Sequence, residues 1–118
     1  IPIEYALEKG NDKIVVVLTR NPGYRKKRAL KATEQLYKRA YKKYPNLVRA
    51  IMTRNAVYNR QMKLIEKLEE EGKIFVIRPL IPTVSRMEKD YDKLQHFYMH
   101  GNRLMKKEYQ GLLEYLNE

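Results

Sequence analysis

The sequence predicts a helix-rich α/β protein with two strands that pair in parallel. Two short segments, residues 13–19 and 74–77, are almost entirely apolar, as strands are when helices cover both faces of a parallel sheet. Between them lie two segments whose apolar residues recur every three or four positions, which is the spacing of amphipathic helices. Because a helical crossover joins parallel strands, we expect one sheet with helices packed on it.

The elements before the second strand follow from local signals. Residues 2–10 are expected to form a short helix, since Pro suits the first helical position and Gly10-Asn11 can end it. After the first strand, Asn21-Pro22-Gly23 predicts a turn, with Pro and Gly at the positions that need them. Two amphipathic helices are then expected, one over residues 29–44 and a longer one from about Asn46 to Gly72.

The tyrosines of the segment 29–44 keep helical spacing. Tyr37, Tyr41 and Tyr44 are therefore expected to lay their rings over the sheet while their hydroxyl groups reach solvent.

The elements after the second strand are expected to be helical. Pro79 and Pro82 predict an extended connection, and Asp90 is a suitable cap for a helix through Met99, with Gly101 near its end. A last helix is expected over residues 102–117. The prediction is thus five helices and two strands in a single domain or fragment, 1–118, in which 1–78 ends the sheet region and 79–118 is a terminal helical segment.

Composition excludes several classes of protein. The 118 residues contain no Cys, which rules out a disulfide scaffold, thiolate zinc sites, iron–sulfur clusters and cysteine nucleophiles. The longest apolar run, Ile14 to Leu18, is far shorter than the roughly 18 residues of a membrane span. No secretory signal is present, and the expected location is the cytoplasm, with a peripheral position at the membrane if the chain binds lipid.

No catalytic constellation emerges from the residues, so we predict no catalytic residue, no metal ligand and no cofactor. The five glycines are too scattered for a phosphate-binding loop. Ser85 lacks the flanking glycines of a nucleophile elbow. His96 and His100 are four residues apart, but Phe97 stands where a His-Glu-x-x-His metal site needs its acid.

Positive charge is concentrated in one segment. The net charge is +11, and residues 20–43 contain ten basic residues against one acid, Glu34. Such a cluster attracts phosphates of anionic lipid or of nucleic acid, although a solvated helix face is the simpler interpretation. The candidate anion or lipid contacts lie at the end of the first strand and in the loop after it: Arg20, Tyr24, Arg25, Lys26, Lys27 and Arg28.

Two parallel strands make a poor sheet by themselves, because each leaves an unpaired edge and neither has enough neighbours to bury its faces. The missing strands are expected upstream, and Ile1-Pro2 in place of Met suggests a piece of a longer chain. Self-association along the exposed strand edge, giving a homo-oligomer, is the other expectation.

Several segments, in order, resemble the C-terminal portion of bacterial patatin-like phospholipases, and together they cover essentially the whole chain. They are Ile1-Pro2-Ile3-Glu4-x-Ala6, Asp12 through Arg20, Gly23-Tyr24-Arg25-Lys26-Lys27, Tyr44-Pro45-Asn46-Leu47, Tyr58-Asn59, Gly72 through Pro79, Val84-Ser85-Arg86-x-Glu88-x-Asp90, and Leu94 through Tyr98 to Gly101.

The resemblance implies a three-layer α/β/α fold and a serine hydrolase that cleaves lipid acyl esters with a Ser-Asp dyad. The dyad and the glycine-rich oxyanion loop of that family lie upstream of the part that resembles this chain. The chain is therefore expected to be catalytically inert alone, with the upstream catalytic part of the same polypeptide as its partner. The basic segment is expected to hold that enzyme near anionic lipid or to gate its acyl pocket. A small basic nucleic-acid-binding module is the alternative, which the absence of an RNP strand or a Gly-x-x-Gly loop disfavours.

Overall fold

A computed structural model describes all residues, 1–118, and contains four helices and two strands. The elements in chain order are α1 (Ile3–Glu8), β1 (Val15–Val17), α2 (Lys31–Ala40), α3 (Pro45–Glu70), β2 (Phe75–Ile77) and α4 (Tyr91–Asn117). The strands form one parallel sheet in which Val15 pairs with Phe75 and Val17 with Ile77. The predicted mixed α/β class and the parallel pairing are confirmed.

The end of the chain is one helix, so the prediction of two helices broken near Gly101 is wrong. Helix α4 begins at the expected cap, where the Asp90 carboxylate accepts hydrogen bonds from the N–H groups of Asp92 and Lys93. It then continues through Gly101 to Asn117. A glycine within a helix costs only about 1 kcal/mol relative to alanine, and the flanking turns offset that cost.

The main core lies between one face of the sheet and the C-terminal half of α3. Met62 and Ile65 of α3 are fully buried there against Val16 of β1. The complete set of buried residues in this core is Ile3, Val16, Leu18, Met62, Ile65, Leu68 and Ile74. Helix α1 closes the side of this core through Ile3.

Helix α4 covers the opposite face of the sheet, but only over β2. The rings of Phe75 and Tyr115 are 5.8 Å apart, and the Phe75 ring also lies against Gly111. On the same face of β1, Val15 is 39% and Val17 is 70% exposed. The expectation that the first strand is buried on both faces is therefore wrong for this chain, because α4 packs on β2 and leaves an open groove beside Val17.

Tyr115 ties the starts of both strands to α4. Its hydroxyl accepts a hydrogen bond from the Ile14 N–H at 3.0 Å, and it lies 3.1 Å from the Lys73 carbonyl oxygen and 3.3 Å from that of Ile14. The Lys13 ammonium sits 4.7 Å from the ring centroid. The Tyr115 side chain thus anchors the residues that lie just before both strands.

Helix α2 contacts only α3 and has no buried residue. The prediction that its tyrosines cover the sheet is wrong: the Tyr37 and Tyr41 rings stack on each other at 6.0 Å instead. Helix α3 has 26 residues, a length of about 39 Å. Its C-terminal half packs on the sheet and its N-terminal half carries α2, so α2 lies beyond the reach of the sheet.

The chain is more extended than a compact monomer of its size. Its accessible surface is 9625 Å², whereas a folded monomer of 14.2 kDa exposes about 6,800 Å². The radius of gyration is 17.9 Å, against about 13.5 Å for a globular chain of this length. Only 11 of the 118 residues are buried, so much apolar surface is free for a further partner.

Candidate functional site

The predicted contact residues lie where β1 ends and the chain turns back along α3. The turn after β1 forms as expected, with the Tyr24 N–H donating to the Asn21 carbonyl at 3.2 Å and with Gly23 at φ +73°. Residues 24–28 then run as an extended segment against α3.

Two asparagines of α3 hold the backbone of this segment. The Asn59 side chain accepts from the Lys26 N–H at 2.8 Å and donates to the Lys26 carbonyl at 2.9 Å. The Asn55 amide donates to the Lys27 carbonyl at 2.7 Å. Residues 24–28 have no neighbouring strand to which their peptide groups could hydrogen-bond. The side chains of Asn55 and Asn59 supply hydrogen bonds to these peptide groups instead.

Arg25 is fixed by an ion pair with Glu66, which lies about two turns beyond Asn59 on α3. Both guanidinium NH₂ groups bond the two carboxylate oxygens of Glu66, with one pair of atoms at 3.0 Å. The hydrogen bond from Arg25 lowers the pKa of Glu66, and the same bond raises the pKa of Arg25. Since the Arg25 guanidinium is paired with Glu66, it helps to hold the loop on α3; its role as an anion or lipid contact stays a prediction.

Cations and tyrosine rings alternate at the surface of the site. The Arg20 guanidinium lies 5.1 Å from the Tyr24 ring centroid, Tyr24 meets Tyr58 edge to face at 6.2 Å, and the Lys26 ammonium lies 4.3 Å from the Tyr58 ring centroid. Burial raises the pKa of Tyr58. Each cation gains from the negative face of its ring, so this row orders the loop without neutralising its charge.

The site is joined to the residues that follow β2. The Asn21 amide donates to the carbonyl oxygens of Pro79 at 3.0 Å and Ile81 at 2.7 Å, and Arg20 donates to the Thr83 hydroxyl at 3.1 Å. The two connections that leave the carboxyl ends of the parallel strands are thereby held together. This is the edge at which open α/β sheets bind their ligands.

The remaining predicted contacts, Lys27 and Arg28, point into solvent and have no acidic partner. The cations of the basic segment therefore fall into three groups. Arg20 and Lys26 lie against tyrosines, Arg25 is paired, and the free cations begin at Lys27 and continue onto α2. Of the predicted set, the structure brings only Arg20, Tyr24 and Lys26 into one cluster.

The residues of α3 that organise the loop are not among those predicted from the sequence. Asn55, Asn59 and Glu66 are spaced by four and seven, which places them on one face of a helix. This polar stripe lies beside the apolar face of α3, and it was the feature of the sequence that could have predicted another segment packed there. Tyr58 belongs to the segments that resemble the patatin-like family, but the sequence did not predict its contact with the loop.

Histidines and acids do not assemble into a metal site anywhere in the chain. His100 accepts a hydrogen bond from the Leu80 N–H at 3.1 Å and so fixes the connection after β2. Beside it, an open groove of about 250 Å³ lies between the carboxyl ends of the strands and α4, with Val17, Ile77 and Phe97 among its apolar walls. None of the four helices combines the length and apolar composition that a bilayer crossing requires.

Fold and site together define a mixed α/β protein with a two-stranded parallel sheet and a basic, tyrosine-rich loop at its carboxyl edge. The profile of one family, described as "Domain of unknown function (DUF6363)", matches residues 44–117, and the chain belongs to that family. The matched range holds α3, β2 and α4, while β1 and all of the basic segment 20–43 precede it. No curated protein and no solved structure matches the chain.

Proposed function

We propose that this chain is the C-terminal, non-catalytic portion of a patatin-like lipid acyl hydrolase. In that enzyme β1 and β2 extend a parallel sheet whose upstream strands carry the Ser-Asp dyad. The sheet then has α1 and α3 on one face and α4 on the other, which gives a three-layer α/β/α sandwich. The support is the order of family-like segments in the sequence together with the open side of β1.

The observation that carries the proposal is the state of β1. The Ile14 carbonyl and the Leu18 N–H both bond to β2. Because successive residues of a strand direct their peptide groups to alternate sides, Val15 and Val17 direct theirs away from β2. A strand of three valines thus exposes an unpaired edge and, at Val17, a side chain that is 70% exposed.

A further strand beside β1, with the helix that connects to it, would address both the unpaired edge and the exposed valines. It would bond the free peptide groups of β1, and a helix crossing to it would cover Val15 and Val17. Such an addition would also account for the excess accessible surface of the chain. In the proposed enzyme, Arg20 and the loop after it would then lie at the edge where the substrate-binding loops of open α/β sheets gather.

The test compares one substitution in two lengths of polypeptide. Val17→Asp is introduced into residues 1–118 and into the polypeptide encoded with the upstream region. We expect the free energy of unfolding of the short chain to change by less than about 0.5 kcal/mol, since Val17 is exposed there. The long form should lose several kcal/mol and most of its esterase activity, because the carboxylate would be buried without a partner.

Met87→Asp is the matched control, since Met87 is 76% exposed and lies in the connection before α4, away from the sheet. It should leave both lengths unchanged. The coding region before Ile1 should specify an Asp-Gly-Gly or Asp-Gly-Ala element, with a Gly-x-Ser-x-Gly elbow further upstream. Equal tolerance of Val17→Asp in both lengths, or ester hydrolysis by residues 1–118 that Ser85→Ala abolishes, would contradict the proposal.

A further inference from the structure

We propose that α2 and its flanking residues bind the surface of an anionic lipid bilayer, with the helix lying in the plane of the interface. This inference goes beyond the proposed function and stands whether or not β1 gains a neighbouring strand. Within the basic segment that the sequence predicts to lie near anionic lipid, it assigns the contact to α2 and adds exposed leucines to the predicted cations.

The outer face of α2 carries uncovered leucine. Leu36 is 66% exposed, and Leu30, at the cap position of the helix, is 73% exposed. The side of α2 that bears Glu34 and Lys38 borders a groove against α3, so Leu36 points away from the protein. Ala32 and Ala40 lie one turn on either side of Leu36 and extend the apolar strip.

Unpaired cations surround this strip. Of the ten basic residues in the segment 20–43, only Arg25 and Lys38 have an acidic partner. The hydrogen bond from Lys38, at 2.8 Å, lowers the pKa of Glu34, the one acid of the segment. The exposed cations without an acidic partner are Lys27, Arg28, Lys31, Arg39, Lys42 and Lys43.

Leucines and cations on one exposed, strongly amphipathic helix are the combination that lipid interfaces bind. The leucines enter the boundary between head groups and acyl chains, and each nearby Lys or Arg gains from the negative surface potential. Tyr44, also exposed, follows the helix and has the amphipathic ring that suits a head-group region. The charge of the segment is complementary to this surface.

Nucleic acid is the less suitable partner for the same charge. Binding of single strands depends on aromatic faces that are free to stack on bases. Here Arg20 lies over Tyr24 and Lys26 over Tyr58, and Tyr37 stacks on Tyr41. Exposed leucines contribute nothing to phosphate binding, so their position beside the cations favours the bilayer.

The experiment is flotation of the full chain with vesicles of phosphatidylcholine, with and without phosphatidylglycerol. We expect flotation only with the anionic vesicles, and less of it at high salt, because exposed charges are screened. Arg39→Glu with Lys43→Glu should lower the bound fraction at least tenfold, since each cation near the surface is worth a factor of roughly five. Leu30→Ser with Leu36→Ser should lower it about tenfold.

Matched controls lie outside α2. Lys106→Glu with Lys107→Glu changes two exposed, unpaired lysines of α4 by the same charge, and Met87→Ser removes an exposed apolar side chain elsewhere. Both controls should float like the unchanged chain. Absent flotation, equal flotation with neutral vesicles, equal losses in the α2 and control variants, or binding to RNA in place of anionic vesicles would each overturn the inference.

Discussion

Strands β1 and β2 pair residue for residue, yet their surroundings differ. All three residues of β2 are partly covered, between α3 on one face and α4 on the other. In β1 only Val16 is buried, while Val15 and Val17 face an open side. Two strands that are both apolar throughout are therefore covered to different extents.

This difference shows that a strand can have a sequence suited to cover on both faces even where the chain covers only one of them. Three successive valines favour a strand with helices on both faces. Helix α4 reaches β2 and stops short of β1, so the requirement of β1 is met on one face only. The uncovered face is then a site for further packing. Four experiments, with five substitutions and their controls, test the surroundings of the two strands and of the loop after β1.

The largest difference is expected within the row formed by Val15 and Phe75. Phe75→Ala should lower the free energy of unfolding by about 3 kcal/mol, because its ring packs against Tyr115 and Gly111. Val15→Ala, in the paired position of β1, should cost less than about 1 kcal/mol, since that side chain is already half exposed. Urea denaturation followed by circular dichroism measures both values. Equal losses would show that β1 is as well covered as β2.

Tyr115→Phe tests the residue that joins the two strands to α4. The ring remains, but the Ile14 N–H loses its acceptor and the Lys73 carbonyl, the nearer of the two carbonyl groups, loses its donor. We expect a loss of about 2 kcal/mol, typical of a part-buried peptide group left unpaired. Tyr109→Phe, on the exposed side of α4, is the control and should change stability by less than about 0.5 kcal/mol. If Tyr115→Phe leaves the free energy of unfolding unchanged, residues other than Tyr115 connect the two strands to α4.

Glu66→Gln tests the ion pair that fixes the loop after β1. The pKa of Glu66 is lowered from 4.5 by Arg25 in the folded chain, so the folded state holds its proton less tightly than the unfolded state. The ion pair therefore stabilises the fold above that pH and is lost as the pH falls below it. At neutral pH the variant should be about 1 kcal/mol less stable, and this difference should shrink as the pH falls below 4.5.

Thermal unfolding across this pH range measures the effect of Glu66→Gln. Glu70→Gln, an exposed and unpaired acid of the same helix, is the control. A stability difference between wild type and Glu66→Gln that does not change with pH would mean that the loop is held by its asparagine contacts alone.

The smallest effect is expected from Val17→Thr. The side chain is 70% exposed, so the free energy of unfolding should change by less than about 0.5 kcal/mol. A loss above about 1 kcal/mol, together with a mass by light scattering that doubles with concentration, would show that a second copy covers β1. That result would support the predicted homo-oligomer through the strand edge.

The sequence predicted the parts of the fold that local chemistry determines. The turn at Asn21-Pro22-Gly23, the Asp90 cap and the long α3 follow from residues close to one another in the chain. The parallel pair joins distant residues, but it follows from the rule that a helical crossover connects parallel strands. The break at Gly101 was wrong because packing along α4 outweighs the helix propensity of one glycine.

The positions of α2 and of the loop depended on contacts distant in sequence. Amphipathic spacing in residues 29–44 indicated a helix but could not say whether α3 or the sheet would receive it. Within the candidate site, the sequence identified Arg20, Tyr24 and Lys26 by their place after a buried strand. It could not separate the paired Arg25 from the free Lys27 and Arg28, because that distinction depends on Glu66, 41 residues away. The three-layer fold and the hydrolase resemblance stay predictions.

The hydroxyl of Tyr115 reaches Ile14 across 101 residues of chain. A contact this distant in sequence costs more loop-closure entropy than a local one, so it forms slowly during folding. The residues just before β1 and β2 therefore have no common anchor until α4 docks on the sheet.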